Sequence, residues 1–131
     1  MTATTAAPAA MWDEITRATN SIREHIEQNN LWTSSVTVFT TRSSSSRVEI
    51  RVSGELSESC ARLLDWRDTL TNTWLYMRVG REPGESDVSV FGRFAGTAVT
   101  VTAPLGEEDV SGLSGNQLGE WVLDWLHTHA G

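Results

Sequence analysis

From Arg47 to Val52 the chain alternates charged and aliphatic residues without a break, as Arg-Val-Glu-Ile-Arg-Val. A period of two permits a strand with one face on a core and the other in solvent, and excludes a helix. Similar alternation places Val36 and Val38 on an earlier strand. Further strands are predicted over Thr73 to Val79, Asp87 to Phe91 and Ala98 to Ala103. Pro83-Gly84 and Ala95-Gly96 supply the turns between the last three. The serine-rich run Arg42 to Ser46 is expected to be the mobile tip of a first hairpin.

Between these segments the period changes to 3.6. Met11, Trp12, Ile15, Ala18, Thr19, Ile22 and Ile26 share one side of a first helix, which Asn29-Asn30 ends. Leu56, Cys60, Leu63, Trp66 and Leu70 define a second helix, with Ser57 as the expected N-cap and Glu58 and Arg62 as an i,i+4 pair. Ser114 and Gln117 read as the capping box of a third, whose buried stripe is Leu118, Trp121, Val122, Trp125 and Leu126. Residues 1–10 are Ala, Thr and Pro around Met1, and are expected to form a disordered tail ahead of a single domain over 11–131. The expected fold is α+β: a mostly antiparallel five-stranded sheet with helices packed on one face, in the order α-β-β-α-β-β-β-α.

Composition narrows the chemistry. All ten basic residues are arginine, so a phosphate-loop lysine, a Schiff-base lysine and a lysine general base are excluded. Arginine without lysine also points to a high-GC source. Seventeen acidic residues give a net charge of −7, which disfavours nonspecific attraction to nucleic acid or to an anionic membrane. Cys60 stands alone, so neither an internal disulfide nor a cysteine zinc site can form, and a cytoplasmic location is expected. No apolar run is long enough to span a membrane.

If the aliphatic set faces the helices, alternation puts Phe39, Arg47, Glu49, Arg51, Trp74, Tyr76, Arg78, Phe91 and Arg93 on the opposite face. Four arginines and four aromatic rings would then share one surface of an acidic protein. Phe39, Arg47, Arg51, Trp74, Tyr76, Arg78, Phe91 and Arg93 are accordingly the candidate partner-binding residues. Arginine and aromatic side chains are what protein interfaces favour, homodimers included. The same pair of residue types also suits single-stranded nucleic acid or another phosphate ligand, through base stacking and guanidinium forks. A third alternative is an ordinary exposed face on which the charges pair and the rings cover aliphatic stems.

Other candidates are weaker. His127 and His129 are two apart, a spacing that does not aim both rings at one metal. His25 falls at the edge of a polar helical face and is expected at the surface. Cys60 lies on an apolar stripe, where burial as a small hydrophobe is the ordinary outcome. Glu107-Glu108-Asp109 is expected to be a solvated loop, and Gly92, Gly96 and Gly106 lack the spacing of a phosphate-binding fingerprint. Trp12, Trp66, Trp121 and Trp125 are expected in the core, and Trp74 outside it. No catalytic residue, metal or cofactor is predicted.

Residues Val48 to Leu105, with the segments RVSGEL, ARLLDW and VFGRFAGTAVTV, resemble short uncharacterised α+β accessory proteins of actinobacterial genomes, prophages and integrative elements. The order of elements is also similar to the dimeric secretion-chaperone fold, except that the third strand here follows the middle helix. Both resemblances imply a non-enzymatic protein, a homodimer in the second case, that acts by binding a protein partner.

Overall fold

The computed structural model describes residues 2–41 and 45–131, with side chains described from Ala9 onward. It is an α+β fold of three helices and one six-stranded mixed sheet. Part of the expected hairpin tip, residues 42–44, lies outside the described residues.

Helix α1 spans Thr2–Asn29, so its backbone starts well before Met11 and includes the stretch expected as a tail. Five alanines between Ala3 and Ala10 favour that conformation. Asn30 then takes a left-handed φ of 51°, and Leu31 N–H donates to the Ile26 carbonyl at 3.0 Å, closing the helix as a Schellman turn. Strands β1 (Ser35–Thr40) and β2 (Ser46–Arg51) follow as an antiparallel hairpin. Helix α2 (Leu56–Arg67) begins two residues ahead of the expected Ser57 cap: Glu55 N–H donates to Glu58 Oε1 at 3.1 Å. The expected Glu58 to Arg62 pair is present at 3.9 Å.

Strands β3 (Thr71–Arg78), β4 (Asp87–Phe94) and β5 (Thr97–Pro104) form an antiparallel meander. Ala95 and Gly96 both have positive φ, 50° and 78°, as the two-residue turn joining β4 to β5 requires. A two-residue strand β6 (Gln117–Leu118) and helix α3 (Glu120–His129) complete the chain.

The strand order is β1-β2-β5-β4-β3-β6. Two features depart from the expected five-stranded sheet. β2 pairs with β5 in parallel, Val48 opposite Val99 and Ile50 opposite Val101. β6 adds a short edge beside Tyr76 and Met77. Because β6 claims Gln117 and Leu118, the helix expected from Ser114 starts only at Glu120, after Gly119 turns the chain with φ 61°. The capping box therefore does not form.

All three helices pack on one side of the sheet. Val48, Ile50, Leu75, Met77, Val88, Val90, Val99 and Val101 meet Leu63, Trp66, Val122 and Leu126 there, all essentially buried. Ala18 and Ile22 of α1 are buried over the β1–β2 end. Three tryptophans expected inside behave otherwise: Trp12 is 68% exposed, Trp121 is 39% exposed and Trp125 is half-buried. Leu118, expected on the α3 stripe, is 61% exposed because β6 turns it to the other face of the sheet.

His25 is a second correction, since it is 4% exposed. Its ring lies 3.9 Å from Phe94 and 5.9 Å from Trp66, closed in where α1 meets the end of β4. The Thr69 hydroxyl donates to the Trp66 carbonyl at 2.8 Å, so its oxygen accepts from His25 Nε2 at 2.9 Å. Nδ1 then accepts from the Asn29 amide at 3.4 Å. A neutral ring satisfies every partner, and burial holds its pKa below the ordinary 6.5.

Candidate functional site

The face opposite the helices is built by three rows of paired residues. Phe39, Arg47, Ala98 and Arg93 form the first; Thr37, Glu49, Thr100, Phe91 and Trp74 the second; Ser35, Arg51, Thr102, Ser89, Tyr76 and Leu118 the third. Arg78 pairs with Asp87 beyond the third row. All eight candidate residues thus lie on one surface, as alternation requires.

One irregularity makes this possible. Between Thr71 and Trp74 the β3–β4 register shifts by one residue, so Asn72 and Thr73 together oppose Gly92. Asn72 takes φ 52°, which a side chain of its kind tolerates. The bulge lets Thr71 and Trp74 occupy the same face although they are three residues apart. Trp74 consequently stacks on Phe91, with centroids 4.1 Å apart and planes 9° from parallel.

The residues on β5 were not singled out by sequence, because Ala98, Thr100 and Thr102 carry no obvious chemistry. Their small size is nevertheless what shapes the face. Larger side chains on β2 and β4 rise on either side, and two hollows result. One, of about 260 Å³, is lined by Trp74, Phe91, Arg93, Ala98 and Thr100. The other, of about 480 Å³, lies among Phe39, Arg47, Arg93, Gly96 and Ala98. Arg93 and Ala98 belong to both, so the two hollows adjoin.

The arginines differ in how they are engaged. Arg78 donates to Asp87 Oδ2 at 2.7 Å, which raises its pKa further. Arg47 reaches Glu49 at 3.2 Å and lies 4.6 Å over the Phe39 ring. Arg93 donates to the Gly96 carbonyl, and no carboxylate faces it among the described residues. Arg51 has no ion-pair partner among them either. Two guanidinium groups are thus left to attract an anion, one on each side of the β5 trough. The face carries four arginines against Glu49 and Asp87, a balance of +2, which leaves −9 for the rest of a chain whose total is −7.

The other titratable candidates lie elsewhere. Cys60 is wholly buried, and burial, with the Asp109 charge second, raises its thiol to about 11. That is the opposite of what a nucleophile needs. His129 packs against Trp125 at 4.4 Å. Among the described residues no group of three or more His, Cys, Asp or Glu could hold a metal ion, and no helix is long and apolar enough to cross a membrane. A hollow of about 200 Å³ between the β3–β4 turn and the loop after β5 contains Arg81, Glu82 and Glu107 but no paired acid and base.

Comparison with known proteins finds no family model, no curated protein and no solved structure that matches this chain.

Proposed function

We propose that this protein acts by binding, without catalysis, and that its ligand is a segment of another protein held against the uncovered sheet face. The observation that carries this reading is the arrangement around β5. Arg51 and Arg93, which have no carboxylate partner among the described residues, flank a floor of small residues, and the Trp74–Phe91 stack and Phe39 stand beside it. Arg51 neighbours Thr102 and Arg93 neighbours Ala98. Four residues along β5 and two strand spacings across it separate the two arginines by roughly 16 Å.

A segment with acidic side chains at its ends and apolar ones between matches that surface. Its carboxylates meet the guanidinium forks, and its apolar centre covers rings that are now in water. The acidic remainder of the molecule repels other approaches of the same segment. An origin in a phage or other mobile element, where small accessory proteins of this kind act on a partner, belongs to the same proposal.

The test is capture from extracts of the native host by wild-type protein and by Trp74→Ala combined with Arg51→Ala. Arg51 is preferred to Arg78, whose removal would strand Asp87. The expected result is unchanged folding with retention of the partner reduced roughly tenfold or more. Equal retention would remove this face as the binding site.

A second reading has one observation in its favour: the parallel Trp74–Phe91 pair resembles a stacking platform for a base. Single-stranded nucleic acid or another phosphate ligand would bind with an affinity that falls steeply with salt. A gel shift at low salt is the discriminating measurement, and its absence excludes nucleic acid.

A further inference from the structure

The sheet has two edges, and they are unlike. At one, β6 pairs with Tyr76 and Met77 of the eight-residue β3. The other is β1, Ser35–Thr40, whose outer edge is open along its whole length among the described residues.

The hydrogen-bond phase of that edge can be read from its neighbours. Thr41 N–H donates to the Ser45 carbonyl, which makes Thr41 and Ser45 a hydrogen-bonded pair. Alternation then makes Phe39–Arg47, Thr37–Glu49 and Ser35–Arg51 the bonded pairs of the β1–β2 ladder. Val52 N–H donates to Thr102 on the opposite side of β2, as this phase demands. It follows that the backbone N–H and C=O groups of Val36, Val38 and Thr40 point away from the sheet. None of them has a partner among the described residues.

Edges of this kind are ordinarily protected by a charge, a proline, a bulge or a covering element. Ser34 donates its N–H and its hydroxyl to the Arg51 carbonyl just ahead of the strand, and no bulge interrupts the β1–β2 register from Ser35 to Thr40. From Leu31 to Thr41 the sequence is Leu-Trp-Thr-Ser-Ser-Val-Thr-Val-Phe-Thr-Thr, with no charged residue and no proline. Val36 is 41% exposed and Phe39 40%. α1 packs on the hairpin, and among the described residues no strand pairs with β1 on its outer side.

We infer that β1 is the seam of a homodimer, in which two copies pair antiparallel about a two-fold axis at Val38. This register is self-complementary: Val38 opposes Val38 of the second copy, and Val36 opposes Thr40. All three outward-pointing positions then become hydrogen-bonded pairs. The absence of charge removes the like-charge repulsion that would otherwise penalise a segment meeting itself. Phe39 falls opposite Thr37 of the second copy, and the two Phe39 rings become diagonal neighbours roughly 7–8 Å apart. A two-fold axis normal to the sheet keeps the helices of both copies on one side. The two uncovered faces therefore join into a single continuous surface.

The inference rests on the edge alone and stands whether or not the face binds a protein. Proline at position 38 is the informative substitution, because that N–H points outward and takes no part in the β1–β2 ladder. Sedimentation equilibrium at about 100 μM should give wild type about twice the 14.4 kDa of the chain. Val38→Pro should give the single mass, with an unchanged far-ultraviolet spectrum. Trp74→Ala with Arg51→Ala should stay dimeric, so loss of partner capture in that variant reports on the face and not on the seam.

Wild type at the single mass would overturn the inference, leaving the edge for a strand of some other protein. A Val38→Pro variant that remains dimeric would overturn it too. Should the proline variant fail to fold, hydrogen exchange on wild type decides. The amides of Val36, Val38 and Thr40 should exchange roughly tenfold or more slowly at high protein concentration than at low. Rapid, concentration-independent exchange at all three refutes the seam.

Discussion

Acid should weaken this fold through one side chain before the carboxylates titrate. His25 is buried as the neutral ring, donating from Nε2 to Thr69 and accepting at Nδ1 from Asn29. A second proton would put an N–H on Nδ1, facing the N–H of the Asn29 amide, and would place a charge between Phe94 and Trp66. Burial lowers the folded-state pKa below 6.5, so the unfolded chain binds the proton first. Stability is therefore complete above about pH 6.5 and declines as pH falls below that value. Between pH 7 and pH 5 the loss through one histidine is at most about 2 kcal/mol, since the unfolded state gains 1.36 kcal/mol for each pH unit below its own pKa. Urea unfolding at the two pH values, on wild type and on His25→Leu, measures it. Leucine fills a similar volume and cannot titrate, so the difference between the two slopes isolates His25 from every other group. Wild type should lose up to about 2 kcal/mol more than the variant over this range. Equal losses would mean that His25 already carries its proton in the fold, or is far more accessible than its surroundings imply.

Three further outcomes follow from single contacts. Gly92→Ala should destabilise by about 1–3 kcal/mol in thermal or urea unfolding, because a Cβ there would stand 2.8 Å from Leu70 Cβ and 3.1 Å from Thr73 Cγ2. Cys60 should react with a thiol reagent in native protein only as fast as the fold opens, since it is buried and its thiol is raised to about 11; rapid labelling without denaturant contradicts this. Glu14 is held at a pKa of about 2, chiefly by Arg17 and then by the Ser46 hydroxyl, so its contribution is present above about pH 4.5 and disappears as pH falls toward 2. Glu14→Gln should accordingly cost about 1 kcal/mol at pH 7, an amount discounted for the exposure of its partner, and nothing at pH 2.

What the sequence made legible is what depends on neighbouring residues. The parity of β2, β4 and β5 follows from alternation alone, and with it the shared face of Arg47, Arg51, Phe91 and Arg93. The αL exit of α1 at Asn30 and the turn at Ala95-Gly96 are likewise local, set by which side chains tolerate positive φ. Pairings between distant strands leave no such trace. Val48 meeting Val99 in parallel uses the same valines that an antiparallel neighbour would use, so a mostly antiparallel sheet was the natural expectation. Burial of His25 has the same origin. Its position on the helical wheel is marginal, and only Phe94 and Trp66, from elements far away in the chain, close over it.

The missed parts of the site have a common cause, and it bears on what the face can hold. Large and charged side chains stand out in the sequence as recognition residues, yet the trough is made by the small ones between them. On β5 the sequence Ala98-Val99-Thr100-Val101-Thr102 alternates as clearly as β2 does, with a buried valine at each inward position. The outward members are as small as a strand ordinarily carries, on the strand flanked by the most crowded outward rows, Arg47, Glu49 and Arg51 on one side and Phe91 and Arg93 on the other. A leucine at Thr100 would be acceptable to the fold, since that side chain faces away from the core, but it would fill the floor beneath Trp74 and Phe91. Neither core packing nor helix contact accounts for the low profile of β5. The proposed ligand would, because an extended chain lying along the strand needs a floor low enough to bring its own side chains level with the arginines on each side.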